Sequence, residues 1–131
     1  MPKKHIRVAV GVIENDRGEL LIAQRAKQKH QGGCWEFPGG KIEAGESSMG
    51  ALKRELAEEL CVQVREASPL CDLTHEYPDI IVTLDVWRVT AFQGLAQGNE
   101  GQPIRWIKRS SLKSIVFPEA NQEIVERLLE L

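Results

Sequence analysis

The sequence predicts a mixed α/β domain in which helices pack on a β-sheet, and three observations indicate this fold class. β-branched segments come first, a segment with helical periodicity separates them from later strands, and a second helical segment ends the chain. With 131 residues, 42% of them hydrophobic, the chain is long enough to bury a core without disulfides or a structural metal. We therefore expect one domain over residues 1–131.

The first part of the chain alternates extended segments with turns. Residues 5–13 are β-branched and partly alternating, residues 15–18 supply turn chemistry, and residues 19–24 are predicted to form a second strand. Glycines and Pro38 then interrupt residues 25–47, where we expect one long ordered loop instead of regular elements. Long ordered loops often carry function.

A helix is predicted directly after this loop. Ser47 and Ser48 offer an N-cap, and apolar residues from Met49 to Leu60 recur at steps of three and four. The predicted helix therefore covers about residues 48–60. The later predicted elements are a long strand over 79–89, a short strand over 104–107 and a second amphipathic helix over 119–131.

Charge and cysteine content exclude several classes of protein. The net charge is −2, whereas general nucleic-acid binders and anionic-membrane binders usually carry a basic surplus. Cys34, Cys61 and Cys71 form no C-x-x-C motif, which predicts reduced thiols and no zinc site. No window approaches the roughly 18 apolar residues of a membrane helix, and the apolar stretch 8–13 is too short for a signal peptide. We expect a cytoplasmic monomer without membrane attachment or stable nucleic-acid binding.

Three glutamates share one face of the predicted 48–60 helix. At about 100° per residue, Glu55, Glu58 and Glu59 fall within roughly 100° of one another. Like charges at this spacing destabilise a helix, and Arg54 alone does not neutralise all of them. Hard oxygen ligands clustered in this way suit Mg²⁺ or Mn²⁺. The alternative is a solvated acidic helix face.

The segment before the helix adds exposed backbone and charge. Gly39 and Gly40 let main-chain groups approach a phosphate or a metal without an intervening side chain. Lys41 supplies a cation, and Glu43 and Glu46 supply further carboxylates. A Gly-Gly pair alone is also compatible with an ordinary turn. Its place before the acidic helix favours a functional interpretation.

Together these residues resemble the Nudix hydrolase signature, G-x5-E-x7-R-E-U-x-E-E-x-G-U, in which U is apolar. One position departs from it, because Cys61 stands where the pattern has glycine. That glycine is expected directly after the helix in left-handed geometry, where a side chain costs roughly 1–2 kcal/mol. The matching residues are Gly40, Glu46, Arg54, Glu55, Leu56, Glu58, Glu59 and Val62.

Further segments are similar to the MutT-type members of this family, which hydrolyse oxidised guanine nucleoside triphosphates. The resemblance implies a Nudix α/β/α sandwich with a mixed β-sheet between helices. It also implies that water attacks an internal phosphorus and releases a nucleoside monophosphate and pyrophosphate. The similar segments are residues 9–12, 25–26, 35–43, 100–103 and 117–121.

The same resemblance implies the metal ligands. Glu55, Glu58 and Glu59 would bind the metal, with the carbonyl group of Gly39 and the side chain of Glu100 completing the set. Mg²⁺ is the expected ion, and Mn²⁺ is an alternative. Glu55 is the preferred general base, with Glu100 as its rival.

Other charged residues are assigned supporting or phosphate-binding roles. Arg54 is expected to orient the carboxylates, and Glu46 either supports the metal ligands or caps the loop. Arg25 and Lys41 are candidates for phosphate contact, the alternative being ordinary surface cations. His30 corresponds to a histidine of related enzymes, but a single loop histidine is usually solvated, so we leave it out of the catalytic set.

Base recognition is assigned to the last helix and the loop at Phe37. Asn121 is expected to contact the base, the alternative being a cap of that helix, and Phe37 is expected in the same pocket unless it belongs to the core. Tyr77 and Asp79 are secondary candidates. Some relatives have an arginine after the corresponding Pro-Asp pair, where this chain has Ile80. Details of purine recognition are therefore expected to differ.

Three functions remain open at this point. The first is Mg²⁺-dependent pyrophosphohydrolysis of a nucleoside triphosphate, which the resemblance implies is 8-oxo-dGTP. The second is the same reaction on a pyrimidine or modified cytosine nucleotide. The third is a nucleotide-binding module without turnover, which would have little reason to retain Arg54 together with Glu55, Glu58 and Glu59.

Overall fold

The computed structural model describes residues 3–25 and 32–131, so His30 lies outside the described residues. Within these ranges, strands and helices alternate in the order that the sequence predicts, with additional strands between them. The strands are β1 (Lys4–Ile13), β2 (Leu20–Gln24), β3 (Trp35–Glu36), β4 (Gly39–Lys41), β5 (Gln63–Glu76), β6 (Ile80–Gln93) and β7 (Ile104–Ile107). The helices are α1 (Ser48–Leu60), α2 (Glu119–Leu129) and a 3₁₀ turn at Arg109–Ser114.

The strands of the described ranges form a mixed sheet and a smaller antiparallel one. The first has the order β4-β1-β6-β5 and the second has the order β3-β2-β7. β1 runs parallel to β6, from Lys4 opposite Ile80 to Ile13 opposite Val89, while β4 and β5 pair antiparallel to their neighbours. The predicted mixed sheet is therefore confirmed.

The alternation of β1 places a helix on each face of the mixed sheet. Val10 and Val12 pack in one core cluster with α2, whereas Ala9 and Ile13 pack in a second cluster with α1. This alternation follows from the two-residue period of a strand. At Gly11 a Cβ atom would lie 3.1 Å from a methyl group of Leu56, so the glycine lets α1 pack close to the sheet. The predicted sandwich of helices around the sheet is confirmed.

The prediction of one long loop over 25–47 is wrong where β3 and β4 form. β3 pairs with β2, and β4 pairs with β1, so Gly39 and Gly40, two of the glycines that suggest a loop, lie in a short strand. A Cβ atom on Gly39 would overlap the backbone of β1 at Ala9, which shows that the glycine permits this pairing. Close backbone approach, and not only turn formation, explains a glycine at this position.

The sequence analysis does not predict β5, and the predicted strand over 79–89 is shorter than the observed β6. β5 lies at the edge of the mixed sheet, and most of its residues are not buried, so it lacks the clean alternation of a half-buried strand. Pro69 interrupts it, and the register shifts between Pro69 and Cys71. Proline and bulges are tolerated at a sheet edge and obscure the strand signal.

Two negative expectations are tested among the described residues. None of the helices described in residues 3–25 and 32–131 is long and apolar enough to cross a membrane. Cys34, Cys61 and Cys71 are all free, as the sequence predicts.

Candidate active site

Helix α1 carries the predicted carboxylates, and its first turn is capped as predicted. Ser47 precedes the helix in an extended conformation, and its side-chain oxygen accepts a hydrogen bond from the backbone N–H of Gly50 at 3.0 Å. Leu52, Leu56 and Leu60 are fully buried against the sheet. The glutamates of the same helix lie beside this leucine stripe: Glu58 is exposed, whereas Glu55 and Glu59 are half-buried.

The end of α1 is left-handed at Cys61, which confirms the geometry expected for the signature glycine. Cys61 has φ 59° and ψ 32°, and it is the only non-glycine residue with positive φ among those described. Its backbone N–H donates to the carbonyl of Ala57 at 3.1 Å, and the N–H of Val62 donates to the carbonyl of Leu56 at 3.3 Å. The helix end is thus closed despite the side chain.

Replacing Cys61 with Gly is expected to raise the free energy of unfolding by up to about 1 kcal/mol. The left-handed conformation costs a side chain roughly 1–2 kcal/mol, and the greater freedom of glycine in the unfolded chain offsets part of this gain. Equilibrium denaturation in urea measures the difference. As the converse control, Gly18→Ala adds a side chain at φ +75° in open space and should destabilise the fold. A loss of stability in Cys61→Gly would mean that packing of the thiol outweighs backbone strain.

The loop between β6 and β7 closes over the last turn of α1. Asn99 donates its backbone N–H to the carbonyl of Glu59 at 2.9 Å and its side-chain amide to the carbonyl of Glu58 at 2.8 Å. Gln102 donates its side-chain amide to the same Glu59 carbonyl at 3.0 Å. These contacts satisfy carbonyl groups that a helix end leaves free, and they bring Glu100 close enough to act electrostatically on Glu59.

Arg54 lies at the centre of a hydrogen-bond network beside the helix. Its guanidinium binds both carboxylate oxygens of Glu46, at 2.7 and 2.9 Å, and donates to Oε1 of Glu55 at 2.8 Å. It also donates to the backbone carbonyl of Lys41 at 3.0 Å. Arg54 therefore joins β4, the following loop and α1, and its bidentate pair with Glu46 is the geometry that fixes a carboxylate most firmly.

Glu46 combines the two roles that the sequence left open. The hydrogen bond from Arg54 lowers the pKa of Glu46 from 4.5 to about 2, and the backbone N–H of Glu43 adds to this effect. The N–H of Glu43 donates to Oε1 of Glu46 at 2.9 Å, which closes the loop before α1. Glu46 thus stays ionised, holds Arg54 and caps the loop at once.

The carboxylate of Glu55 lies directly over Gly40. A Cβ atom on Gly40 would lie within 2.5 Å of Glu55 Oε1 and overlap the carboxyl carbon. The absence of a side chain at Gly40 therefore creates the space that the Glu55 carboxylate fills. This contact explains why the glycine and the glutamate belong to the same signature.

Glu59 is the most strongly perturbed acid of the cluster. Burial, followed by repulsion from Glu55 and a hydrogen bond to Glu55, raises its pKa from 4.5 to about 8. Glu100 and Glu36 contribute smaller repulsions to the same value. Glu59 is therefore costly to ionise beside Glu55, and a cation between the two side chains would relieve this repulsion.

The chemistry of these donors fits a hard divalent cation, although the side chains do not form a complete site as they stand. No group of three or more His, Cys, Asp or Glu side chains among the described residues is placed to hold a metal ion. Glu55 and Glu59 are brought together, whereas the side chain of Glu58 is 58% exposed and lies 3.5 Å from Arg54. All donors are oxygen atoms, which is the set that Mg²⁺ prefers.

A cavity of about 690 Å³ opens beside this cluster. Gly39 and Glu59 line it, whereas Glu55, Glu58 and Glu100 lie outside its lining. Polar residues line the cavity together with Glu59, and β1 and β6 contribute apolar residues to its lining. The lining residues are Val8, Val10, Arg25, Glu36, Phe37, Gly39, Gly40, Lys41, Glu59, Tyr77, Pro78, Asp79, Ile80, Val82, Leu84, Pro118, Ala120 and Asn121.

Both predicted phosphate contacts lie in the wall of this cavity. Arg25 forms an ion pair with Glu36, with 2.7 Å between its Nη1 and the carboxylate. Lys41 lies at the end of β4 next to Gly40. Glu36 received no role in the sequence analysis, although it precedes the predicted Phe37. Its contact with Arg25 follows from the pairing of β3 with β2, which the sequence did not predict.

The structure separates the two interpretations of Asn121 and Phe37. Asn121 lies in the first turn of α2, where Pro118 occupies the cap position without a side-chain hydrogen bond. Oδ1 of Asn121 instead accepts a hydrogen bond from the backbone N–H of Phe37 at 3.0 Å. The capping alternative is therefore wrong. The ring of Phe37 is 3% exposed and stacks on Phe117 with 5.3 Å between centroids, so its side chain belongs largely to the core.

The turn between β5 and β6 forms a further part of the cavity wall. Tyr77, Asp79 and Ile80 all line the cavity, and the backbone N–H of Tyr77 donates to the carbonyl of Ile80 at 2.8 Å. Because β6 runs parallel to β1, this turn is held next to the beginning of β1. Tyr77 and Asp79, the secondary candidates for base recognition, therefore lie in the cavity wall.

Comparison with known proteins finds relatives that are similar over nearly the whole chain. The chain is 39% identical over 128 residues to the 8-oxo-dGTP diphosphatase of Escherichia coli (strain K12), covering 98% of this chain and 99% of that protein. It is 38% identical over 121 residues to the CTP pyrophosphohydrolase of the same organism, covering 92% and 87%. A solved structure of MutT, studied from Aliivibrio salmonicida and Vibrio cholerae, superposes with a TM-score of 0.85 at 39% identity, covering 97% and 98%.

A family model supports the same assignment over most of the chain. The model of the NUDIX domain matches residues 9–127, a range that begins in β1 and ends in α2 and includes the whole acidic helix. The match covers the Gly40–Glu55 contact, the Arg54 network and every lining residue of the cavity except Val8. The chain therefore belongs to the NUDIX domain family.

Proposed function

We propose that this protein is a metal-dependent pyrophosphohydrolase that converts 8-oxo-dGTP to the monophosphate and pyrophosphate. One observation carries the proposal: a single cavity reaches from the acidic end of α1, at Glu59, to the amide of Asn121. A nucleoside triphosphate has two ends that fit such a cavity. Its triphosphate needs a cation for neutralisation, and its base offers hydrogen bonds. The relatives named above as an 8-oxo-dGTP diphosphatase and a CTP pyrophosphohydrolase support this class of substrate.

Mg²⁺ is the proposed cofactor, held by Glu55, Glu58 and Glu59 with the carbonyl group of Gly39 and Glu100. Bound there, the ion would neutralise phosphate charge and lower the pKa of water. The raised pKa of Glu59 supports this assignment, because acids crowded without a cation are costly to ionise. Mn²⁺ satisfies the same oxygen donors and is the alternative.

The protein groups around the cluster have separate proposed tasks. Glu55 accepts the proton of the attacking water, and Arg54, bound to its Oε1, keeps the carboxylate in one orientation. Glu100 is the alternative base, since its loop brings it toward Glu59. Lys41 and Arg25, both in the cavity wall, bind phosphate oxygens.

Asn121 is proposed to distinguish the oxidised base. Guanine offers two adjacent acceptors, N7 and O6, whereas 8-oxoguanine offers a donor at N7 beside the O6 acceptor. The bond from the Phe37 N–H identifies the oxygen of the Asn121 amide and leaves its Nδ2 donor and one lone pair of Oδ1 for a base. In this orientation Oδ1 can accept from the N7–H of 8-oxoguanine while Nδ2 donates to O6. With ordinary guanine, Oδ1 would face N7, which is also an acceptor.

Replacing Asn121 with Ala is expected to raise KM for 8-oxo-dGTP far more than KM for dGTP. An unmatched buried polar group costs about 1–3 kcal/mol, which corresponds to roughly 5- to 150-fold in affinity. Loss of the bond to Phe37 affects both substrates, so the ratio of the two KM values is the informative quantity. Gln122→Ala removes the neighbouring amide, which binds the carbonyl of Phe117, and should leave that ratio unchanged. An unchanged ratio in Asn121→Ala would contradict base recognition by this residue.

A nucleotide panel tests the substrate. With Mg²⁺ present, kcat/KM is compared for 8-oxo-dGTP, dGTP, dCTP, CTP and ADP-ribose. The proposal predicts the highest value for 8-oxo-dGTP. A higher value for dCTP or CTP would favour the pyrimidine alternative, which the CTP pyrophosphohydrolase relative supports. Absence of turnover with every nucleotide would favour the non-catalytic alternative.

A further inference from the structure

A charged contact joins α2 to the edge strand of the mixed sheet. Nε2 of His75, on β5, lies 2.9 Å from Oε1 of Glu123, on α2. The side chain of His75 is only 15% exposed, while that of Glu123 is 46% exposed. Within the described residues Nε2 is buried and has no aligned hydrogen-bond partner, and the Glu123 carboxylate lies within ion-pair distance of it. When the imidazole is protonated, the contact is an ion pair.

Each partner of this contact stands next to a residue of the nucleotide cavity. Glu123 follows Asn121 by two residues in the first turns of α2, and Asn121 is in the cavity wall. The ring of His75 stacks on that of Tyr77, with 6.3 Å between centroids and 26° between planes, and Tyr77 also lines the cavity. The contact therefore joins two elements, β5 and α2, that lie beside residues of the cavity wall.

Few other polar contacts hold the beginning of α2. The helix starts at Pro118, which provides no side-chain hydrogen bond to cap the first turn. Asn121 binds the backbone of Phe37, and Gln122 binds the carbonyl of Phe117, but both contacts go to the segments at β3 and just before α2. In the part of the chain that the structure describes, His75–Glu123 is the ion pair that connects α2 with β5.

We propose that His75 is a positioning residue for nucleotide binding, which acts through Glu123 and Tyr77 to hold Asn121 at the base end of the cavity. This inference rests on the proposed function, because it takes the cavity to bind a nucleotide. It requires no contact between His75 and the nucleotide. The contact lies outside the family signature, because His75 and Glu123 belong to β5 and α2.

A double-mutant cycle tests this role in the enzyme. His75→Phe keeps an aromatic ring at this position but removes Nε2, Glu123→Gln keeps the shape of its side chain but removes its charge, and the third variant combines both changes. Each single change should raise KM for the best nucleotide of the panel about three- to fivefold and change kcat less than about twofold. The double variant should be no worse than either single one. Additive increases, or a fall in kcat at unchanged KM, would overturn the proposal.

The control and the second readout separate this inference from the proposed function. His5→Phe changes a histidine that contacts Thr83 at 2.7 Å on the mixed sheet, and it should leave KM unchanged. In the nucleotide-free protein, hydrogen exchange at the Phe37 amide reports the bond to Asn121. Glu123→Gln should accelerate this exchange while amides between β1 and β6 keep wild-type rates. Unchanged exchange at Phe37 would overturn the inference even if turnover is normal, and absent turnover in wild type would contradict only the proposed function.

Discussion

Glu55→Gln is expected to lower kcat by about 10³- to 10⁴-fold with little change in the free energy of unfolding. The amide keeps the size of the carboxylate, so the space over Gly40 stays filled, but it can neither accept a proton nor supply a negative charge to a cation. Steady-state kinetics with saturating 8-oxo-dGTP and Mg²⁺ measures the change. The thermal unfolding midpoint shows whether the fold is intact.

A matched substitution separates this effect from a general change of charge. Glu66→Gln makes the same replacement at an exposed position of β5, away from the acidic cluster, and should leave kcat at the wild-type value. If Glu55→Gln turns over as fast as wild type, Glu55 is neither base nor essential ligand. In that case Glu100 would be the remaining candidate for the general base.

Gly40→Ala is expected to lower kcat/KM by about 100-fold or more while the fold remains stable. The added methyl group would occupy the space of the Glu55 carboxylate, within 2.5 Å of Oε1. Because the obstructed atoms are the end of a flexible side chain, the carboxylate moves and the backbone does not. A displacement of about 1 Å in a catalytic group can cost 10²-fold in rate. Kinetics and urea denaturation together measure the two effects.

The control for this glycine is Gly18→Ala, which should give the opposite pattern. Gly18 has φ +75° in a turn with nothing near the added Cβ, so alanine there strains the backbone without touching the cluster. Stability should fall and kcat/KM should stay constant. Wild-type kcat/KM in Gly40→Ala would show that the exact position of the Glu55 carboxylate does not matter.

The parts of the fold that sequence periodicity predicts are those with one clearly buried face. β1 alternates between two cores, and α1 buries its leucine stripe, so both were predicted with nearly the observed bounds. β5 could not be found in this way, since it lies at a sheet edge, contains Pro69 and pairs through shifted register. Its existence depends on β6, a partner that follows it in the chain.

In the candidate site, too, local spacing predicts some features and only the tertiary structure shows the others. Glu55, Glu58 and Glu59 lie within two turns of one helix, so spacing alone predicts that they share a face. The structure brings Glu55 and Glu59 together and leaves Glu58 exposed, which spacing does not predict. Contacts between distant segments, such as the Asn121 amide with the Phe37 backbone, require the tertiary arrangement and no local pattern indicates them. The closeness of Gly40 to Glu55 falls between these cases, because the signature names both residues but not their contact.

Product analysis tests the central claim most directly. 8-oxo-dGTP is incubated with the protein and Mg²⁺, and the products are separated and quantified by anion-exchange chromatography, with a parallel reaction in excess EDTA. The account predicts 8-oxo-dGMP and pyrophosphate in equal amounts with Mg²⁺ and no products with EDTA. Release of orthophosphate with 8-oxo-dGDP, or undiminished hydrolysis in EDTA, would contradict it.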